Sequence, residues 1–240
     1  MARPKAEWRT RTGLELGVTK YDFASQFAGG GSVLDVACGS GVGAAYLSGK
    51  GARTVHGGDI SSDCVQRAVR LTRGTSSFSV LDACSLPFRD GTFDLVVSIE
   101  TIEHLSDQEQ FLAECHRVLK LGGRLVCSTP NREIFSPSGD KPWFPGHIRE
   151  LTTSEFRHIL EDYFHEVTLY GSPSKDRCGL FDRLVRRWQP LMEALLLSYF
   201  PWRSLLSRSA LRATAIICMG SGVWSARANG VYLSVRYSSK

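Results

Sequence analysis

The chain has 240 residues, a formal net charge of +5 and an isoelectric point near 8.9. Its 42% hydrophobic and 22% charged residues are typical of one globular domain, 1–240, and argue against a disordered or fibrous protein. No apolar run approaches the roughly 18 residues that would span a bilayer, and no N-terminal segment resembles a signal peptide. The seven scattered cysteines form no CxxC pair. We therefore expect a cytoplasmic protein with reduced thiols.

Short apolar runs alternate with stretches of helical periodicity, and this alternation predicts an α/β protein with a doubly wound, mostly parallel sheet and helices on both faces. The predicted strands cover 33–36, 53–58, 77–81, 93–99, 124–129, 166–170 and 230–237, and the predicted helices cover 44–50, 61–71, 107–119 and 152–163. Gly122 and Gly123 are expected to close the third helix, and Thr153 or Ser154 to cap the fourth together with Glu155.

Two segments lie outside this regular pattern. Residues 1–30 are polar with a weak helical periodicity and are predicted to form an N-terminal helical cap. Residues 172–228 are predicted to form a helical insertion between the last two strands. Within the insertion, 182–206 interleaves arginines with large apolar residues, which leaves three hypotheses open: helices packed on the domain, a lid over the substrate, or a peripheral contact with a membrane or a lipid-linked substrate.

The first strand leads into a glycine-rich turn and a helix, which is the order of elements in a Rossmann-type nucleotide site. Gly39 and Gly41 allow the backbone to approach a ligand closely. Asp35, at the end of the strand, would repel a pyrophosphate but suits a ligand that carries an ammonium and a sulfonium, as S-adenosylmethionine does. The stretch from Gly39 to Ala44 also fits a loose GxGxx(G/A) pattern, so a dinucleotide stays open as an alternative.

Acidic residues also follow the second and third strands. Asp59 lies 18 residues beyond Gly41, close to the spacing of an acid that binds ribose hydroxyls; its alternative role is to cap the following helix. Asp82, with Ala83, could bind the amine and a ring nitrogen of adenine, or it could simply form a turn. Tyr21, upstream of the first strand, could cover the mouth of the site or pack its helix onto the sheet.

These segments together resemble class I S-adenosylmethionine-dependent methyltransferases. Residues 33–41 resemble the first motif of that family, with Ala37 in place of the first glycine of its D/ExGxGxG pattern, and residues 56–61, 81–88, 93–98 and 117–123 resemble the blocks that follow. The resemblance runs from about 21 to about 171. It implies a Rossmann-like, seven-stranded sheet whose last strand is antiparallel, and S-adenosylmethionine as the cofactor. The residues that would bind it are Tyr21, Asp35, Ala37, Gly39, Gly41, Asp59, Ile60, Asp82 and Ala83.

A second resemblance concerns the segment after the fourth strand. Glu100, Glu103 and His104 form an ExxEH pattern that, with the later His147, resembles the metal site of ubiquinone-biosynthesis O-methyltransferases and of small-RNA 3′-terminal 2′-O-methyltransferases. The resemblance implies a divalent ion held by these four residues, which could lower the pKa of a substrate hydroxyl. The alternative is a site without metal, in which the Glu-His pair only shapes the pocket or in which Glu103, His104 or His147 acts as the catalytic group.

The sequence therefore predicts a methyltransferase that acts on an oxygen of a small molecule, with a glycan, a lipid-linked compound or a phenol as the acceptor. Methylation of an RNA 3′ end is an alternative, but no aromatic platform beside a basic groove is visible, so nucleic acid is not the expected partner. An NAD-dependent oxidoreductase and a non-catalytic nucleotide binder are the alternatives from other classes. The oligomeric state stays open.

Overall fold

The computed structural model describes residues 20–136, 141–142, 144, 146–171 and 230–236. Most of the predicted N-terminal cap and the whole of the predicted insertion 172–228, including the segment 182–206, therefore lie outside the described residues.

The described part of the chain contains one mixed sheet with the strand order β3-β2-β1-β4-β5-β7-β6. Strands β1 to β5 pair in parallel, and β7 pairs antiparallel with both β5 and β6. The α/β architecture predicted from the sequence is confirmed. The strands are β1 (Ser32–Val36), β2 (Thr54–Asp59), β3 (Ser77–Val80), β4 (Phe93–Ile99), β5 (Leu119–Pro130), β6 (Glu166–Gly171) and β7 (Gly230–Arg236).

Helices cover both faces of this sheet. Neighbouring residues of the central strands enter different buried clusters: Val33 packs with α1 and with residues 24 and 28, whereas Leu34 packs with α3 and α5. This alternation is expected because successive side chains of a strand point to opposite faces. The helices are α1 (Val42–Gly49), α2 (Ser62–Thr72), α3 (Gln108–Val118), the short α4 (Arg132–Phe135) and α5 (Thr153–Glu161); residues 20–25 are also helical, and Ile102–His104 form one 3-10 turn.

Two predicted boundaries are wrong, and each has a local cause. The chain leaves α3 directly into β5 at Leu119 rather than after Gly122 and Gly123, because Leu119 already pairs with Phe93 of β4. The N-cap of α5 is Thr152, not Thr153 or Ser154. The Thr152 hydroxyl accepts from the Glu155 N–H at 3.1 Å and the Glu155 carboxylate accepts from the Thr152 N–H at 2.7 Å, which is a complete capping box.

None of the helices in the described ranges combines the length and the hydrophobicity that a membrane crossing requires.

Candidate functional site

The glycine-rich turn between β1 and α1 is built from left-handed residues. Gly39 and Gly41 have φ values of +54° and +75°, and Ala37 has +58°, a region that L-residues seldom adopt. Gly41 is also packed closely, since a Cβ there would lie 2.7 Å from Cβ of Ala68 and 2.9 Å from the Phe78 ring. At Gly39, by contrast, a Cβ would meet no atom within 4 Å. The turn therefore packs against α2 and β3 at Gly41 and is open at Gly39.

Asp59 connects this turn to β2. Its carboxylate accepts from the Gly39 N–H and from the Ser61 N–H, both at 2.9 Å. The N-cap of α2 is Ser61, whose hydroxyl accepts from the Cys64 N–H, so Asp59 does not occupy the capping position that the sequence left open for it. The side chain of Ile60 is 74% exposed beside Asp59. An acid and an exposed apolar side chain thus stand next to the open part of the turn.

Asp35 lies inside β1 and is completely buried, not at an open strand end. The Tyr21 hydroxyl donates to the Asp35 carboxylate at 3.0 Å, and the Tyr21 ring packs against Gly43 of α1. Burial raises the pKa of Asp35 to about 7; the hydrogen bond from Tyr21 opposes this shift, and the charge of Asp59 adds to it. Tyr21 therefore anchors its helix, as one of the two predicted roles requires, and also covers Asp35.

Asp82 follows β3 at the same edge of the sheet as Asp59. Its side chain is exposed and accepts from the Cys84 N–H at 2.8 Å, which makes the turn that the sequence offered as the alternative role. Ala83 is buried. Because the Leu81 N–H donates to the Asp59 carbonyl at 3.1 Å, the segments after β2 and β3 lie side by side.

A second group of side chains comes together after β4. Ligand atoms of Glu103, His104 and His147 all lie within 4.8 Å of one another. Glu103 is 1% exposed; one of its carboxylate oxygens accepts from the Thr129 hydroxyl at 2.9 Å, and the other has no hydrogen-bond partner among the described residues. Burial, together with the nearby charge of Glu100, raises the pKa of Glu103 well above its usual value.

The two imidazoles of this group have their Nδ1 atoms engaged elsewhere. Nδ1 of His104 lies 2.7 Å from the Gly146 carbonyl oxygen, and Nδ1 of His147 lies 2.5 Å from the Glu150 carboxylate. The Gly146 carbonyl oxygen, and the Glu150 carboxylate when it is ionised, can only accept, so in the neutral form of each imidazole Nδ1 carries the proton and Nε2 keeps its lone pair. The group therefore offers one free carboxylate oxygen and two imidazole nitrogens.

Glu100 does not belong to this group. It has a φ of +53°, and its carboxylate accepts from the Lys20 ammonium at 2.6 Å and from the Ser128 hydroxyl at 2.8 Å. Burial acts to raise the pKa of Glu100, but the charge and hydrogen bond of Lys20 outweigh it and lower the pKa. Of the four residues predicted to share a metal, three therefore lie together, and the fourth, Glu100, forms an ion pair with Lys20 instead.

Four residues of this region were missed by the sequence analysis: Lys20, Phe135, Phe144 and Glu150. The rings of Phe135 and Phe144 lie 5.4 Å and 4.7 Å from the His147 ring, between centroids. The HxxE spacing from His147 to Glu150 could have suggested their contact. Nothing local could have suggested the ion pair of Lys20 with Glu100, which joins residues 80 positions apart.

Comparison with known proteins shows what this chain is similar to. A family profile described as a methyltransferase domain matches residues 34–127. A Mycolicibacterium smegmatis protein named "probable S-adenosylmethionine-dependent methyltransferase" is 40% identical over 161 residues, which cover 67% of this chain and 59% of that protein. The tocopherol O-methyltransferase of Arabidopsis thaliana is 40% identical over 195 residues, which cover 75% of this chain and 54% of that protein.

Among solved structures, the [4+2]-cyclase SpnF is similar with a TM-score of 0.70 and 22% identity, covering 100% of this chain and 85% of that one. At that identity the likeness concerns the fold alone. The chain spans between half and three fifths of the length of the two curated relatives. The profile match and the relatives agree with the Rossmann-like sheet: the chain carries a methyltransferase domain over residues 34–127 and is similar to S-adenosylmethionine-dependent methyltransferases.

Proposed function

We propose that this chain transfers the methyl group of S-adenosylmethionine to a hydroxyl oxygen of a small apolar acceptor, with a phenol or a lipid-linked alcohol favoured over a glycan. The observation that carries this proposal is the position of the group Glu103, His104 and His147. The group begins directly after β4, and β4 is the neighbour of β1, whose end leads into the glycine-rich turn. Ligands of open α/β sheets bind at this edge, so cofactor and acceptor would meet there.

The residues around the turn have distinct roles toward the cofactor. Gly39 and Gly41, with Ala37, would admit the methionine end, and the negative charge of Asp35 would favour its cationic groups. Asp59 and Ile60 would bind the ribose, and Asp82 with Ala83 the adenine. The pairing of antiparallel β7 with β5 and β6 supports the seven-stranded form of the fold that the sequence predicts for such an enzyme.

The chemistry of the second group fits a divalent cation. One carboxylate oxygen without a partner and two imidazole nitrogens with free lone pairs are suitable ligands, and both Nδ1–H groups are held by oxygens as in known metal sites. Glu103, His104 and His147 would hold the ion; Glu100 would first have to leave Lys20. The chemistry that such an ion would supply is a lowered pKa of the acceptor hydroxyl.

The protein contributes mainly by positioning the two reactants. In an in-line displacement the bond from the acceptor oxygen to the methyl carbon forms while the bond from the sulfonium sulfur to that carbon breaks, which leaves S-adenosylhomocysteine. Without a bound ion, the hydroxyl proton would go to Nε2 of His104 or of His147, because neutral imidazoles with Nδ1 protonated have an unprotonated Nε2. An imidazole whose Nε2 holds the ion would not take that proton. Holding the acceptor oxygen in line with the methyl carbon and the sulfur would provide most of the rate enhancement.

Apolar side chains around His147 support an apolar acceptor. Phe135 and Phe144 flank its ring, and the side chains of Ile134 and Ile148, next to these residues in the chain, are 42% and 57% exposed. Exposed apolar side chains that gather at a site are typical of surfaces that bind apolar ligands. A relative named as a tocopherol O-methyltransferase agrees with this choice.

Cofactor binding tests the first half of the proposal. S-adenosylmethionine should raise the melting temperature, NAD should not, and Asp59→Ala should weaken cofactor binding roughly 100-fold, since each charge-assisted hydrogen bond contributes about 1.5–3 kcal/mol. Asp63→Ala is the matched control, because Asp63 is an exposed acid of α2. Stabilisation by NAD instead would contradict the proposal.

Transfer of a labelled methyl group tests the second half. A panel of phenols, lipid-linked alcohols, glycans and RNA 3′ ends, each with and without a chelator, should give product with the phenols or lipid-linked alcohols, and the chelator should reduce it. Product with RNA alone would favour the RNA alternative. Cofactor binding without transfer to any acceptor would indicate a non-catalytic binder or another reaction on the same fold.

A further inference from the structure

Glu150 is a buried acid in contact with the candidate catalytic group. It lies three residues after His147, its side chain has a relative exposure of 0%, and its Oε1 is 2.5 Å from Nδ1 of His147. An ionised carboxylate can only accept, so this contact puts the imidazole proton on Nδ1 and leaves Nε2 free. In the competing tautomer, Nε2 would carry the proton and would be unable to accept another proton or bind a cation.

The loop that carries His147 and Glu150 is held by contacts that do not involve the Glu150 carboxylate. The N–H groups of Ile148 and Arg149 donate to the Glu103 carbonyl at 2.7 Å and 3.2 Å. The buried Gln108 amide donates to the carbonyls of Arg149 and Ile102, both at 2.9 Å. The backbone of the loop is therefore attached to the turn that carries Glu103 and His104. Removing the Glu150 carboxylate should leave that attachment intact.

The cost of burying Glu150 argues that its charge serves the site rather than the fold. Its Oε2 is buried and has no hydrogen-bond partner among the described residues. A buried carboxylate with a free oxygen weakens the folded state. An uncharged glutamine could hold the same volume at a lower cost, but its amide could turn either its oxygen or its NH₂ toward Nδ1 and would not select one tautomer.

The two imidazoles are also held by different partners. His104 donates to the neutral carbonyl of Gly146, whereas His147 donates to the acid. A carboxylate raises the basicity of the imidazole to which it is bonded and fixes the ring orientation more strongly than a carbonyl does. The Phe135 and Phe144 rings restrict the His147 ring from the sides.

From these contacts we infer that Glu150 is a positioning residue: it holds His147 in the Nδ1–H tautomer, with Nε2 available to a divalent cation shared with Glu103 and His104. The cation part of this inference rests on the proposed function. The tautomer part does not, because it follows from the hydrogen bond and the burial alone.

Two measurements on the full chain, without cofactor or acceptor, test the inference. Calorimetric titration with Mn²⁺ and with Zn²⁺ should show affinity lowered about 10- to 100-fold in Glu150→Gln. Glu133→Gln, which removes an exposed acid on α4, should bind as the wild type does. When His147→Ala is already present, adding Glu150→Gln should not lower the metal affinity further, since Glu150 acts only through His147.

The second measurement is the His147 tautomer, read from the ¹⁵N shifts of the imidazole. The wild type should show the Nδ1–H form, and Glu150→Gln and Glu150→Ala should show a mixture of both forms. A wild type with the proton on Nε2, or a Glu150→Gln protein with unchanged tautomer and metal affinity, overturns the inference. If the wild type binds neither ion, the proposed metal fails, while a tautomer that changes on substitution still supports the role of Glu150.

Discussion

At the scale of single residues, Ala37 and Glu100 both have the left-handed backbone conformation, with φ of +58° and +53°. Such residues cost about 1–3 kcal/mol and occur preferentially at functional sites. Ala37 lies in the turn that would admit the cofactor, and Glu100 begins the segment that carries the candidate catalytic group. Among the described residues the third non-glycine residue with this conformation is Arg73, at the end of α2, so two of the three lie in segments that the reaction would use.

Replacing Ala37 by glycine should stabilise the protein by about 0.5–1 kcal/mol. The left-handed conformation costs an L-residue about 1–2 kcal/mol, and the greater freedom of glycine in the unfolded chain cancels part of the gain. Urea denaturation of Ala37→Gly measures the effect. The control is Ala45→Gly in α1, where the same chemical change should destabilise by a similar amount. Destabilisation by both variants would mean that Ala37 is not strained.

The burial of Asp35 predicts a stability that depends on pH. Its pKa is raised from 3.8 to about 7 in the folded protein, mainly by burial, so the folded state binds more protons than the unfolded state between these values. The contribution of Asp35 to the stability of the cofactor-free protein should therefore fall as the pH rises from about 4 to about 7, by at most about 4 kcal/mol, and then level off.

Asp35→Asn should remove this pH dependence. The variant should be more stable than the wild type at about pH 8 and nearly equal to it at about pH 4, because the wild-type carboxyl group is neutral only at the lower pH. Thermal melts at several pH values give the difference. Asp162→Asn, at an exposed position, serves as the control. A constant difference between Asp35→Asn and wild type across the range would contradict the raised pKa.

At the scale of elements, the N-terminal helical segment 20–25 is bound to the site by three successive residues. Lys20 pairs with Glu100, and Tyr21 donates to Asp35. Asp22 accepts from Tyr46, which lies in α1, and from Lys50, which follows α1. The exposed ion pair of Asp22 contributes little to stability. The two buried contacts join this segment to β1 and to the segment after β4. The segment therefore depends on the close contact of Tyr21 with Gly43.

A methyl group at Gly43 should displace the segment. The Cβ of Gly43→Ala would overlap the Tyr21 ring, which its hydrogen bond to the buried Asp35 holds in place. Cleavage by trypsin after the buried Lys20, followed by mass spectrometry, should become about tenfold faster, since local opening would cost less free energy. Gly49→Ala is the matched control in the same helix, because its Cβ would meet nothing within 4 Å. Equal cleavage rates in both variants would show that Tyr21 does not hold the segment.

At the scale of the whole molecule, the sheet order explains how a late segment completes the fold. β7 lies between β5 and β6, so its backbone pairs on both sides, and β6 would otherwise have no neighbour in the described sheet. A strand that is distant in sequence but central in the sheet must be added through long-range contacts. Stability of the β5 side of the sheet therefore depends on residues near the end of the given chain.

Proline in β7 should test this dependence. Val235 pairs with Leu125 on one side and with Val167 on the other, so Val235→Pro in an interior strand should cost about 3 kcal/mol or more through a lost hydrogen bond and steric conflict. Glu166→Pro, at the first residue of the edge strand β6, should cost much less. Far-UV circular dichroism during urea unfolding compares them. Equal stability of the two variants would contradict the interior position of β7.

The glycine-rich turn and its distance from Asp59 were largely predictable, because their signals are local. The spacing from Gly41 to Asp59 reflects one helix and one strand of ordinary length, and the left-handed φ of Gly39 and Gly41 follows from the need for a tight turn. The roles of Asp35 and Asp82 were less predictable. Whether an acid near a strand end is buried or exposed depends on what covers it, and for Asp35 that cover is Tyr21.

The sequence by itself determined the order of strands and helices and the glycine-rich turn, since periodicity and motif spacing are properties of adjacent residues. Its motifs also carry the resemblance to S-adenosylmethionine-dependent methyltransferases. Only the tertiary structure decided that Glu100 forms an ion pair with Lys20 instead of joining the group that contains Glu103. It also decided that His147 lies beside His104 and contacts Glu150. The physical reason is that such contacts join residues brought together by strand register and packing, and many different partners are compatible with the same local pattern.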